Sequence, residues 1–458
     1  MSAGICRGKR AFIFAFRVPA KRQQSRFLSV TPQRQSQVQV QDGTENEVEI
    51  SISHHAKSIV LNSPAHSLHN ASFPFLFLRD ADRSEHSFHP LTKQKTFQTT
   101  TISPELNLSQ AKVVHGALRL RWEGESVESE LPLDFLRDYA TREGWDKLHY
   151  FDQLEPITWD NSKFIGEGKH KAISYDSYKS DPLPFLQQLT KYGLVFLTGV
   201  PTEEKEGVHT ELRNVVETIG ELRRTWYGDL WDVRDEKKDT KNVANTNLDL
   251  GLHMDLVHFQ NPPRYQFLHC LKNRGIKGGR SYFVDSFKAA ERMWADEKWR
   301  RRFDVLSRTK MGFEYRNNGH HTRWEHPVFE LDPNTPPVTQ GGDPIPPKLF
   351  AVNYAPPFQS PLLLRHHTPS QLASLHRSLT TFTNLVEEEG MRYEVQLEEG
   401  DLVAFDNRRV LHARTAFDFD GESGDEKGRW LKGAYMEGDA VWDRTRVLLA
   451  QAEGNKGE

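Results

Sequence analysis

The sequence predicts an α+β chain: an antiparallel sandwich or jelly roll with flanking helices, preceded by a small β-rich domain. Three observations lead there. Short segments of alternating apolar and polar residues, the period of half-buried strands, recur between about residues 47 and 140 and again from about 175 onward. Few long helical patterns separate them, which argues against a parallel sheet with its obligatory crossovers. An irregular stretch, EPITWDNSKFIGEGKHKAISYDSYKSDP, divides the two runs, and 458 residues suffice for two or three domains.

Taken in order, residues 1–41 come first. They hold eight basic residues (Arg7, Lys9, Arg10, Arg17, Lys21, Arg22, Arg26 and Arg34) and no acid, with an amphipathic RGKRAFIFAFRV stretch. That is the composition of a mitochondrial transit peptide, with RQQSRFLS as a region for cleavage; a basic tail is the plainer alternative. The apolar run AFIFAF is far too short to span a bilayer, so no membrane segment is expected. The whole chain carries a formal charge of -3, so the part beyond the leader is acidic and a nucleic-acid role is disfavoured. Cys6 and Cys270 are the two cysteines, which excludes a disulfide framework and a thiolate zinc site.

After a polar linker, QSQVQVQDGTENE, strands are expected at VEISI, SIVL, FPFLFLRD, KTFQTTTI and KVVHGALRLRW, then a helix at LPLDFLRDYATREGW. This defines a small β-rich domain over 45–150, and a larger domain over 170–450 follows. There, LPFLQQLTKYG reads as a helix ended by Gly193 in a left-handed conformation. LVFLTGVP reads as a buried strand and TELRNVVETIGEL as an amphipathic helix. Strands are then expected at GLHMDLVHF, YQFLHCL, RSYFVDSF, MGFEYR, PVFEL, LFAVNYA, DLVAFDN, VLHART and WLKGAYM, with one helix, SQLASLHRSLTTFTNLVEEEG, before the last of them.

GLHMDLVHF carries three ionisable side chains that are costly to bury without a partner. Strand alternation sends His253 and Asp255 to one face, two thirds of a facial triad that holds ferrous iron and leaves positions open. The pair alone is a weak signal. A third ligand must come from a neighbouring strand, and His412, in DLVAFDNRRVLHARTAF, is the candidate, placed within a deep hairpin. Arg429 opens the apolar strand GRWLKGAY; a buried guanidinium needs a carboxylate, supplied by a dicarboxylate cosubstrate or by a loop acid of FDFDGESGDE. His258 and His269 are read as structural.

In this order, His253-x-Asp255, His412 and Arg429 resemble the Fe(II)/2-oxoglutarate dioxygenases of the taurine dioxygenase-like superfamily. YGDLWDV, NVANTNLDLGLHMDL, PPRYQFLHCLKN, GGRSYFVDSF, LVAFDNRRVLHAR and LKGAY look like the gamma-butyrobetaine and trimethyllysine dioxygenase branch. The resemblance implies a double-stranded β-helix (jelly-roll) core and iron held by His253, Asp255 and His412. It also implies 2-oxoglutarate on Arg429, ascorbate as reductant and a homodimer. It further implies a trimethylammonium cage formed by Tyr227, Trp231 and Tyr435, with Asn242 and Asn353 near the substrate. Two departures qualify the substrate: Asn245 stands where the cage has Tyr, and Leu256 where an aromatic residue is common. Relatives bind zinc in the N-terminal domain through three Cys and one His; here Asp82, Ser84 and Ser87 replace the thiolates beside His86 and His89, so no zinc is expected. The expected activity is hydroxylation of gamma-butyrobetaine to carnitine in the mitochondrion. The alternatives are trimethyllysine, another small molecule, or a non-enzymatic metal-binding jelly roll.

Overall fold

A computed structural model describes residues 36–40, 48–141, 144, 154–203, 210–234, 246–333, 346–419 and 428–454. The leader up to residue 35, its cleavage region, Asn242, Asn245 and residues 420–427, with most of the loop acids offered to Arg429, lie outside the described residues. No helix among the described residues is long and apolar enough to cross a membrane. The chain divides into two compact units, Met1–Trp145 and Asp146–Glu458.

The first unit holds a four-stranded antiparallel sheet, Ser36–Val40, Val48–Ser53, Ser58–Ser63 and Leu68–Pro74 in sequence order, and a three-stranded one, Leu108–Val114, Ala117–Trp122 and Glu128–Pro132. Ile59, Leu61, Phe75, Leu78, Leu118, Leu120 and Trp122 fill its core. Three expectations change here. SQVQV, read as linker, is a strand paired with Val48–Ser53. FPFLFLRD is a strand end followed by the helix Phe75–Asp80, because Phe75 and Leu78, three apart, both reach the core. KTFQTTTI is turns with a short 3₁₀ segment, Thr99–Thr101, in place of a strand. Asp82 is buried and accepts hydrogen bonds from the Ser84 amide and hydroxyl and from the Glu130 amide at 2.8–3.0 Å, while Arg79 donates to Ser87 and Glu125. His86 and His89 are exposed.

In the second unit two sheets form a sandwich. The larger runs Leu230–Arg234, Gly428–Met436, Tyr265–Arg274, Leu402–Asp406, Leu194–Thr198, Ile173–Ser174, antiparallel except for its last pair. The smaller runs Leu250–His253, Val410–Arg414, Ser281–Asp285, Tyr393–Val395. Phe196, Leu268, Val403 and Phe405 of one meet Phe283, Tyr393 and Val410 of the other, with Phe283 and Phe405 rings 5.5 Å apart. Helices cover the outer faces: Leu183–Tyr192 and Glu211–Glu217 on the larger sheet's side, and Ser286–Ala295, Glu297–Arg308 and Pro369–Val386 on the other. Gly193 ends the first of these at φ +71°, and an added Cβ would come within 3.1 Å of Val410.

The expected hairpin around His412 is not one. Leu402–Asp406 belongs to the larger sheet and Val410–Arg414 to the smaller, so Asn407, Arg408 and Arg409 carry the chain across the sandwich. That crossing brings His412 from the far end of the chain beside Leu250–His253.

Candidate metal centre

His253 ends its strand and lies directly opposite His412 in the neighbouring one, with imidazole centroids 4.2 Å apart. Asp255 does not share that strand. Residues 255–258 form a turn, closed by the Phe259 amide donating to Leu256 O, and Leu256 sits at φ +55°, an uncommon conformation for a residue with a side chain. The turn, rather than alternation, brings the carboxylate back over the imidazoles. Asp255 Oδ1 lies 3.5 Å from His253 Nε2 and 3.9 Å from His412 Nε2. The three ligand atoms fall within 4.8 Å of one another, and this is the one such His, Cys, Asp and Glu group among the described residues.

Two of the three donors are held from behind, whereas His412 Nδ1 is buried and meets no partner among the described residues. His253 Nδ1 meets Gly251 O at 2.9 Å, which leaves Nε2 facing the carboxylate. Asn407, fully buried, accepts from the Asp255 amide at 2.8 Å and donates to Asp255 O at 3.1 Å and Pro263 O at 3.0 Å. The Tyr435 hydroxyl donates to Asp255 Oδ2 at 2.8 Å. Burial works against the Asp255 charge, but His253, His412 and Tyr435 outweigh it and hold the carboxyl below the usual range. Burial, with His253 adding, pushes His412 down to about 3, so it is neutral at ordinary pH. An ionised carboxylate beside a neutral imidazole is the protonation state that a divalent cation requires.

A cavity of about 70 Å³ joins this cluster to Arg429, lined also by Trp231, Gln266, Ser281 and Arg414. Arg429 is 7% exposed and, among the described residues, pairs with no acid. Burial, with the neighbouring Arg414 adding, pushes its guanidinium down to about 10. Arg414 donates to Thr246 O and Leu248 O and so anchors the segment leading into the His253 strand. Two more polar atoms in the cavity wall, Trp231 Nε1 and Gln266 Oε1, are buried and meet no partner among the described residues. A buried guanidinium and unmet polar groups beside a two-His, one-carboxylate cluster fit iron together with a small dicarboxylate.

The expected substrate residues fall into different places. Tyr435 is 3% exposed, and its ring stacks on Trp231 at 5.1 Å and 28°. Its hydroxyl serves Asp255, and Trp231 lines the cavity that leads to Arg429, so these two rings face the metal side. Burial, with Tyr315 and Asp255 adding, pushes the Tyr227 hydroxyl up to about 12. Asn353 is 0% exposed and donates to Pro327 O at 2.9 Å and Glu330 Oε2 at 3.3 Å; it braces a turn and does not line the cavity. His258 bonds Thr322 at 2.7 Å and stacks on Trp226 at 5.8 Å. Sequence reasoning missed Asn407 and Gln266, whose signal was a polar side chain set in an apolar strand or at its end.

A family profile described as "Taurine catabolism dioxygenase TauD, TfdA family" matches residues 166–435. The chain is 38% identical over 383 residues to the dioxygenase str8 of Strobilurus tenacellus, covering 82% of this chain and 85% of that one. It is 29% identical over 282 residues to the human gamma-butyrobetaine dioxygenase, covering 60% and 65%. Over 391 residues it is 27% identical to the mitochondrial trimethyllysine dioxygenase of Bos taurus, covering 83% of each. The chain belongs to the taurine catabolism dioxygenase TauD/TfdA family of iron- and 2-oxoglutarate-dependent oxygenases, and its similarity extends to the gamma-butyrobetaine and trimethyllysine dioxygenases whose signature segments it carries.

Proposed function

We propose that His253, Asp255 and His412 hold one ferrous ion, that Arg429 receives the far carboxylate of 2-oxoglutarate, and that the protein hydroxylates a small molecule. The observation that carries this is the cavity joining the three donors to a buried arginine without an acidic partner among the described residues. When bound, iron and 2-oxoglutarate supply the oxidising chemistry, in which dioxygen is consumed, the cosubstrate yields succinate and carbon dioxide, and a C–H bond gains a hydroxyl. The chain's own part is positional. Asp255 and His412 present unprotonated donors, Asn407 fixes the turn that carries Asp255, and Arg429 orients the cosubstrate by a forked, charge-assisted contact.

Gamma-butyrobetaine is the first substrate to test, supported by the signature segments, by Tyr227, whose hydroxyl feels the Asp255 charge, and by the human relative's name. A second reading is a small molecule without a quaternary ammonium group. It is favoured by the engagement of Tyr435 with Asp255 and Trp231, and by Asn245 and Leu256 where a cage would have aromatic walls. The assay is succinate formation from 2-oxoglutarate with Fe(II) and ascorbate, across quaternary ammonium compounds including trimethyllysine. Stimulation by gamma-butyrobetaine supports the first reading; succinate formation that none of the ammonium compounds stimulates removes it. Mitochondrial residence is proposed from the composition of residues 1–41 and checked by N-terminal mass spectrometry of the mature protein, where an intact leader would refute it.

A further inference from the structure

The two oxygens of the Asp255 carboxylate are unequal. Oδ2 accepts the Tyr435 hydroxyl at 2.8 Å, whereas Oδ1 is the oxygen that faces both imidazoles, at 3.5 and 3.9 Å. The Asn407 side chain clamps the same residue by its amide and carbonyl, so neither end of Asp255 turns freely. Tyr435 is itself fixed. It lies in the strand Gly428–Met436, opposite Gln266, and its ring stacks on the Trp231 indole. That indole occupies the space left by the missing side chain of Gly433, where an added Cβ would stand 2.3–2.5 Å from indole carbons Cε2, Cζ2 and Cη2.

We propose that Tyr435 is a positioning residue of the metal centre, whose hydroxyl commits Asp255 to binding through Oδ1 alone and prevents Oδ2 from taking a second coordination position. This rests on the metal-centre reading above, and it moves Tyr435 from the substrate cage to the iron. The consequence is chemical: a facial triad works because positions remain open for oxidant and cosubstrate, and a carboxylate that chelated through both oxygens would close one. It also gives Gly433 a role at a distance, since only a residue without a side chain lets Trp231 lie beneath Tyr435.

Tyr435→Phe keeps the ring and its stack and deletes only the hydroxyl. Metal-free full-length protein is titrated with Co(II), which resists oxidation and reports its ligand geometry by visible absorption. Outer hydrogen bonds to metal ligands are typically worth about 10–100-fold in affinity, so the variant, with Oδ2 freed to reach the metal, is expected to shift Co(II) affinity by about 10-fold and to alter the spectrum. Gly433→Ala, which displaces Trp231 while leaving the hydroxyl present, serves as second variant and is expected to change the spectrum in the same direction. Affinity and spectrum of Tyr435→Phe equal to wild type, with His412→Ala binding no Co(II), would overturn the role of Tyr435 alone. Equal Co(II) binding by wild type and His412→Ala would instead overturn the metal-centre reading beneath it.

Discussion

Two arginines of the second unit are buried almost equally, Arg409 at 2% exposed and Arg429 at 7%, yet their surroundings are opposite. Arg409 makes a forked pair with Asp285 at 3.0 and 2.8 Å and donates to Lys191 O and Ile157 O at 2.8 and 2.6 Å. Burial opposes its charge, but Asp285 outweighs burial and holds the guanidinium above its ordinary value. Arg429 has no such carboxylate among the described residues, and burial depresses it instead. A buried cation whose partner is in the chain is part of the fold. One with no carboxylate beside it among the described residues is, on the function proposed above, the seat of a ligand.

The comparison breaks or holds on measurable differences. Removing one member of a buried ion pair strands the other, so Arg409→Ala is expected to lower unfolding free energy by about 3–5 kcal/mol in a denaturant titration. A loss below about 1 kcal/mol would mean that Asp285 is solvated and the pair is not structural. Arg429→Met should do the reverse: stability unchanged or higher, because an unpaired charge leaves the interior, with 2-oxoglutarate binding weakened about 100-fold, the scale of lost charge-assisted bonds. Calorimetry on the Mn(II)-loaded protein reads the second effect, and retained affinity would place the carboxylate elsewhere. Asn407 combines both roles. Asn407→Ala leaves two Asp255 backbone groups unmet and is expected to cost about 1–3 kcal/mol in stability while also weakening metal binding. Destabilisation with metal affinity intact would show that the turn is held by other contacts.

A further effect concerns histidines and is spread over three of them. Burial pushes His258 and His269 down to about 4 and His412 to about 3, below the ordinary value of 6.5. The unfolded chain therefore takes up these protons first. Their contribution is complete above about pH 6.5 and is lost as pH falls toward 4, at up to roughly 1.4 kcal/mol per pH unit for each group. Chemical denaturation of metal-free protein at pH 7 and pH 5 should show the lower midpoint at pH 5; equal midpoints would mean that these rings are solvated.

Much of this was legible in the sequence, for identifiable reasons. His253, Asp255, His412 and Arg429 stand out because charge in apolar strands is costly, and the structure gathers them around one cavity. The local form of the site was less legible. LHMDL reads as uniform alternation, yet the strand ends at His253, and Leu256 at φ +55° turns Asp255 back; a positive φ at leucine leaves no mark in a sequence. LVAFDN and VLHAR read as a hairpin because only two residues separate them, whereas buried Arg409, tied to Asp285, draws the chain into the other sheet. Helix Ser286–Ala295 was hidden because the strand's apolar run continues into it, with Asp285 ending one and capping the other. Helix Gly438–Gly454 has too weak an apolar stripe to announce itself.

The most direct test is anaerobic titration of metal-free protein with Fe(II) in the presence of 2-oxoglutarate, followed by the visible charge-transfer absorption of the chelated keto acid. One equivalent of iron per chain is expected, with the band absent in His412→Ala and demanding far more cosubstrate in Arg429→Met. A band of undiminished strength in His412→Ala would place the metal elsewhere and contradict the account.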